Sequence, residues 1–134
     1  MEEPNDESRI IAAIAYVLGI IVAALILLLK KDDRYTKFHS LQAILFDIIV
    51  MVVMSFTIFL GFAVMVGGGI AGLFVSSSGG PGLAFVGFWV LWLAMMLAGF
   101  GIFVLKIFLA WKAYTGKMFK LPLIGKHAEK IAMG

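Results

Sequence analysis

The chain contains no cysteine. That excludes disulfides, thiolate zinc sites and cysteine nucleophiles, and leaves the compartment open. Charge is also scarce: only 14% of the 134 residues are Asp, Glu, Lys or Arg, against 63% hydrophobic, and the mean hydropathy is +1.08. A soluble domain is nearer about half apolar and about a quarter charged, so this composition belongs to a chain built for lipid. The net charge is only +3, with the basic residues clustered as a membrane protein keeps them. No nucleic-acid partner is expected from it. Catalytic constellations are missing as well: no nucleophile beside a base, no paired carboxylates in apolar surroundings, no glycine loop shaped for phosphates. An enzyme is therefore not expected, nor is a cofactor. The opening MEEPNDESR is acidic where a signal peptide needs positive charge, and the apolar run after it ends in KKDDR, so the first helix is expected to stay in the mature protein.

What is present is long apolar sequence. Ile10 to Leu29 is an uninterrupted run whose length, about 20 residues, matches a hydrocarbon core of about 30 Å. Its Ala12, Ala15, Gly19 and Ala23 share one face at helical spacing, where small residues let a neighbouring helix come close. Leu41 to Val75 is too long for one simple span; as a helix it would measure about 50 Å. Asp47 near its start and the triplet Gly67, Gly68, Gly69 near its end shorten it. The stretch GGGIAGLFVSSSGGPG reads as a glycine-rich connection whose apolar island, Ile70 to Val75, is interfacial, re-entrant or a helix extension. Leu83 to Leu105 is the third run, with Trp89 and Trp92 toward one end and Lys106, Trp111, Lys112 and Tyr114 toward the other, as interfacial belts require. Pro122 interrupts the basic tail, and a short helix is expected from about residue 126 to 132.

Charge then counts the helices. The basic clusters are Lys30, Lys31, Arg34 and Lys37 in the first connection, and Lys112, Lys117, Lys120, Lys126 and Lys130 at the end. Both are expected in the cytoplasm by the positive-inside rule, which requires an even number of helices between them. The resulting expectation is an all-α, polytopic integral membrane protein with three transmembrane helices and a short basic C-terminal tail; a fourth span is the alternative. The boundaries are an acidic tail over 1–9, helices over 10–29, 41–66 and 83–111, a basic loop over 30–40, an outer connection over 67–82 and the tail over 112–134. This places the protein in the cell membrane with the N-terminus outside and the C-terminus in the cytoplasm.

Asp47 and Lys106 then lie toward the cytoplasmic ends of neighbouring helices. Charges there pair with each other, face the bundle interior, or sit at the boundary with the lysine snorkelling. His39 and Gln42 form an H-x-x-Q pair on one helix face, better suited to an interfacial cap or an inter-helix hydrogen bond than to metal, since no other ligand set is near.

With these residues in view, the segment DRYTKFHSLQAIL resembles the Phe-His…Gln signature of the Tic-twenty-like family, small prokaryotic membrane proteins related to a chloroplast inner-envelope import component. The ending AYTGKMFKLPLIGKHAE is similar to the same family's Leu-Pro…Gly ending. The resemblance implies Phe38, His39, Gln42, Leu121, Pro122 and Gly125 as motif positions, and a role near protein translocation or insertion. The plastid relative has four helices, from which three would be a departure.

The expected function is that of a non-catalytic membrane protein acting through helix–helix contacts, as a subunit or scaffold of an assembly. The alternative is an oligomeric channel or transporter subunit with Asp47 and Lys106 at the pathway. Expected partners are the bilayer, anionic headgroups at the cytoplasmic face, and a second copy or another membrane subunit.

Overall fold

The computed structural model describes residues 4–30, 32–74, 80–121 and 124–133. Among them are five helices: α1 (Asp6–Leu18), α2 (Ile20–Leu29), α3 (Arg34–Phe74), α4 (Gly80–Tyr114) and α5 (Ile124–Met133). The chain divides into two compact units, one of Met1–Val50 with Phe103–Gly134, the other of Met51–Ile102.

The larger unit begins with a capped helix. Asn5 Oδ1 accepts the Ser8 N–H at 2.8 Å, and Asp6 and Glu7 occupy the first turn, where the helix dipole favours negative charge. The helix then stops at Gly19, with φ 84° and ψ −171°, a conformation open essentially to glycine alone. Beyond Gly19 the chain turns back. Lys30 Nζ at the end of α2 lies 2.6 Å from Glu7 Oε1 at the start of α1, whereas one straight helix would hold those residues about 35 Å apart. The apolar run over 10–29 is thus a folded-back pair of short helices, where one straight helix was expected. Hydropathy over a window of about 20 residues cannot see this, because a straight and a reversed helix present the same apolar side chains.

Among the described residues two helices are long and apolar enough to cross a membrane, Arg34–Gly68 and Phe85–Tyr114, where three spans were expected. Only 6% and 0% of their most apolar windows are buried, which distinguishes them from the core helices of a soluble domain. The reversal also brings the acidic N-terminal segment to the same end as the basic residues: Ser8 O accepts from Thr36 Oγ1 at 3.5 Å, and the Arg9 guanidinium lies over Gly116. The start of α1 therefore lies beside the start of α3 and the end of α4.

Helix α3 starts at Asp33, whose Oδ1 accepts the N–H groups of Tyr35 at 3.0 Å and Thr36 at 3.4 Å. It runs unbroken for 41 residues, through Gly67, Gly68 and Gly69. In lipid, backbone groups must be satisfied internally, which outweighs the weak helix propensity of glycine. Residues 70–74 are thus a helix extension, while 75–79 of the expected connection lie outside the described residues. Helix α4 ends in a Schellman turn: Lys117 N–H donates to Lys112 O, Gly116 N–H donates to Ala113 O, and Gly116 supplies φ 75°.

Within this unit α1 runs alongside the start of α3 in the same direction, from Ser8 beside Thr36 to Gly19 beside Asp47. The α3 and α4 segments are antiparallel, with Tyr35 at Ala113 and Asp47 at Lys106. The core joins Ala12, Ala15, Tyr16 and Ala23 to Ala43, Leu109 and Ala113. The alanines do bring helices close, whereas Gly19 on the same face makes the turn instead.

The second unit comprises the 51–102 parts of α3 and α4. Its large apolar side chains, among them Phe56, Phe59, Phe62, Val90 and Leu97, face outward. Gly61 is buried there, where a Cβ would run into Leu91. Phe85, Trp89 and Trp92 meet edge to face, with centroids 6.1 Å and 5.5 Å apart in sequence.

Candidate functional site

The chemistry of the larger unit lies along a polar seam on one face of α3. Thr36, His39, Ser40 and Gln42 are all fully buried. His39 shares a hydrogen bond with the Tyr16 hydroxyl, Nδ1 to O at 3.1 Å, and is ringed by aromatic edges from Tyr16, Tyr35 and Phe38 at 4.6–5.8 Å between centroids. Gln42 Nε2 donates to Phe119 O at 3.1 Å, which ties the tail to α3. The Tyr35 hydroxyl donates to Ala113 O in the last turn of α4. His39 Nε2, Ser40 Oγ, Gln42 Oε1 and Arg9 Nε have no hydrogen-bond partner among the described residues.

At the far end of the seam Lys106 Nζ and Asp47 Oδ1 form an ion pair at 2.7 Å, with side chains 23% and 11% exposed. A Cβ placed on Gly19 would lie 3.5 Å from Asp47 Oδ2, so the hairpin tip covers the pair. Of the dispositions open to these charges, mutual pairing is the one adopted.

Phe38 points to the other side of α3, where it packs with Ala128 and Ala132 of α5 and with Leu41, Leu45 and Met118. The tail positions serve this docking. Leu121 packs against the core and its carbonyl accepts the Gly125 N–H at 2.8 Å. A Cβ on Gly125 would come within 2.8 Å of the Lys120 backbone, so only glycine fits without movement. Pro122 and Lys31 lie outside the described residues.

The wet end of the unit gathers an open cleft lined by Glu7, Lys30, Asp32, Asp33, Arg34 and Gly116, among others. Burial works to raise the Asp33 carboxyl, but hydrogen bonds from Ser8, from Thr36 and from the N–H groups of Thr36 and Tyr35 prevail and hold it below the usual carboxylate range. The hydrogen bond to Glu7, with its charge, raises Lys30. Among the described residues no three His, Asp or Glu side chains converge as a metal cage would require.

Sequence reasoning brought forward His39, Gln42, Asp47 and Lys106 but missed Tyr16, Tyr35 and the Gly19 reversal. Asp33 followed by Thr36 is a capping signature that was there to be used. Tyr16 offered only a lone hydroxyl within an apolar run.

Comparison with known proteins places this geometry. A UPF0132 membrane protein of Methanocaldococcus jannaschii is 30% identical over 124 residues, covering 92% of this chain and 87% of that protein. A UPF0132 membrane protein of Archaeoglobus fulgidus is 25% identical over 135 residues, covering 92% and 94%. No solved structure matches. Residues 7–128 match the model of the magnetosome magnetite crystal formation protein family. That match overturns the resemblance to the Tic-twenty-like family, and with it the link to translocation. The strings behind that resemblance do packing work here: Phe38 holds α5, Gln42 holds the tail, and Gly125 permits a tight turn. Short motifs of that kind arise wherever a helix start docks a tail, so they do not identify a family. Across nearly its whole length, this chain belongs to the magnetosome magnetite crystal formation protein family.

Proposed function

We propose that the protein is a non-catalytic integral membrane component that works through helix contacts, as a subunit or scaffold of a membrane assembly. The observation that carries this is the Asp47–Lys106 pair at 2.7 Å. The charges set within apolar sequence neutralise each other inside one unit, while the long sides of α3 and α4 present apolar residues outward. Such a molecule offers lipid and neighbouring helices a surface, and offers an ion no polar route. The membrane-protein names of the archaeal relatives support the membrane part of this reading.

The orientation follows from the positive-inside rule applied to the folded-back hairpin. Lys30, Arg34, Lys112 and Lys117 flank the end that also holds Asn5 to Arg9, so both chain ends face the cytoplasm in the cell membrane. The family description names magnetite crystal formation as the process. Within such a process this chain serves as an embedded assembling part.

The test uses the natural lack of cysteine. Single cysteines at positions 6 and 126 should label from the same side of sealed vesicles, and purified protein should co-migrate with itself or with a membrane partner in mild detergent. Liposome ion flux should equal that of empty vesicles, for the parent and for Asp47→Asn alike. A parent-dependent leak that Asp47→Asn changes would replace this proposal with a pathway through the pair.

A further inference from the structure

The basic residues of the larger unit are not equivalent. Lys30, Lys106 and Lys120 each hold a carboxylate, from Glu7, Asp47 and Glu129, at 2.6, 2.7 and 2.7 Å. Lys112 and Lys117 hold none among the described residues. They belong to one turn: the Lys117 N–H donates to Lys112 O at 3.2 Å across the Schellman cap of α4. Lys112 Nζ stands over aromatic rings, 5.4 Å from the Phe108 centroid and 5.7 Å from that of Trp111. Trp111 is 59% exposed, and Phe119 extends the floor, its ring 5.7 Å from Phe108 and edge-on to it. That floor continues along α4 into the exposed side chains of Val104 and Ile107.

An ammonium held over open aromatic faces, at the end of an apolar helix, is amphiphilic in the order of a lipid. Charge comes first, then a ring layer at headgroup depth, then aliphatic surface. A free anion would use the ammonium groups alone, and a nucleotide the ammonium groups and at most the rings; either leaves the aliphatic surface of Val104 and Ile107 uncovered. We propose that Lys112 and Lys117 bind the phosphate of an anionic phospholipid whose acyl chains lie along the Phe108–Trp111 side of α4; this rests on the membrane placement above. The remaining lysines then serve folding, through their acid partners, or general attraction to the surface, as Lys126 and Lys130 on the exposed side of α5 do.

The test is native mass spectrometry of the detergent-solubilised full chain with added phosphatidylglycerol or phosphatidylcholine. The parent should retain phosphatidylglycerol preferentially. K112Q/K117Q should lower that preference by up to about thirtyfold, at about 1 kcal/mol per lysine, while K126Q/K130Q keeps it. W111A, which retains both charges, should weaken retention of both lipids. If K112Q/K117Q fails to fold by circular dichroism, the exposed single variant K117Q reads the same effect, up to about fivefold. Equal retention of the two lipids by the parent overturns the site. So does an equal loss in both double variants, which would mean diffuse attraction, or displacement of phosphatidylglycerol by inorganic phosphate at the same concentration. An alkaline carbonate wash separates the two levels: a parent that stays in the membrane but lacks the lipid preference loses this site alone, and a parent that washes out loses the membrane placement too.

Discussion

Lys30 Nζ meets Glu7 Oε1 at 2.6 Å across a hairpin whose tip is Gly19. The contact joins the end of α2 to the start of α1 at the cleft that Asp33, the cap of α3, also lines. As an exposed pair it adds little stability, since such bridges are screened by solvent. Its value is as a marker of chain direction.

A cysteine pair at positions 7 and 30 should therefore cross-link with a short bifunctional reagent in the membrane, because the chain has no other cysteine to compete. A continuous helix over the apolar run would put these positions about 35 Å apart, beyond such a reagent. Failure to cross-link would restore a straight first span.

Gly19→Ala forces a side chain into a φ of 84°. The expected cost is about 1–3 kcal/mol of strain, read as a lower melting temperature in detergent and a weaker 7–30 cross-link. An unchanged melt would mean that the reversal does not need glycine.

Breaking the Asp47–Lys106 pair from either side should cost more. Lys106→Ala or Asp47→Ala leaves a largely buried charge uncompensated, for which about 3–5 kcal/mol is typical. The combined Asp47→Asn and Lys106→Gln variant should recover much of that loss, because neither charge then remains. Denaturant or thermal unfolding of the three variants checks this, and a double variant as unstable as the sum of the singles would argue against direct coupling.

Asp33 gives a pH dependence of definite sign. Its folded carboxyl lies below the ordinary range, so its contribution is present above the unfolded value and is lost as the pH falls through the folded one. The parent should lose extra stability below about pH 4, relative to Asp33→Asn, which keeps an acceptor for the cap but does not ionise. Asp33→Ala should lose about 1 kcal/mol at neutral pH through the missing cap. Melting curves from pH 3 to 7 separate the three; identical acid profiles for the parent and Asp33→Asn would remove the carboxylate from the account.

Tyr16→Phe removes the partner of a buried ring nitrogen, and His39 Nδ1 then has none among the described residues. The expected cost is about 1–3 kcal/mol, more than for Tyr35→Phe at about 1 kcal/mol. The difference arises because Ala113 O, which Tyr35 serves, still accepts from the Gly116 N–H. Thermal melts of the two variants compare them directly.

What the sequence by itself determined is what depends on neighbours along the chain. Apolar length and the scarcity of charge marked a helical membrane protein. The small residues Ala12 and Ala15 carried their packing role in plain view, whereas the cap at Asp33 and the turn at Gly116 were local signals left unread. Likewise His39, Gln42, Asp47 and Lys106 stood out because polar groups in apolar sequence need partners. Their partners were another matter. Tyr16 is 23 positions from His39, and Phe119 is 77 from Gln42, and only packed helices bring them together. The reversal at Gly19 was hidden for a stronger reason. Its helices satisfy their own backbones whether the run is straight or folded, and their side chains are apolar either way, so local energetics leave the two forms close. Tertiary contacts accompany the folded form: with α2 turned back, Ala23 joins Ala12, Ala15 and Tyr16 in the same core as Ala43 and Leu109, and Glu7 meets Lys30 at the end. Counting helices by charge does not register such a reversal, since it takes every apolar run of sufficient length as one straight span.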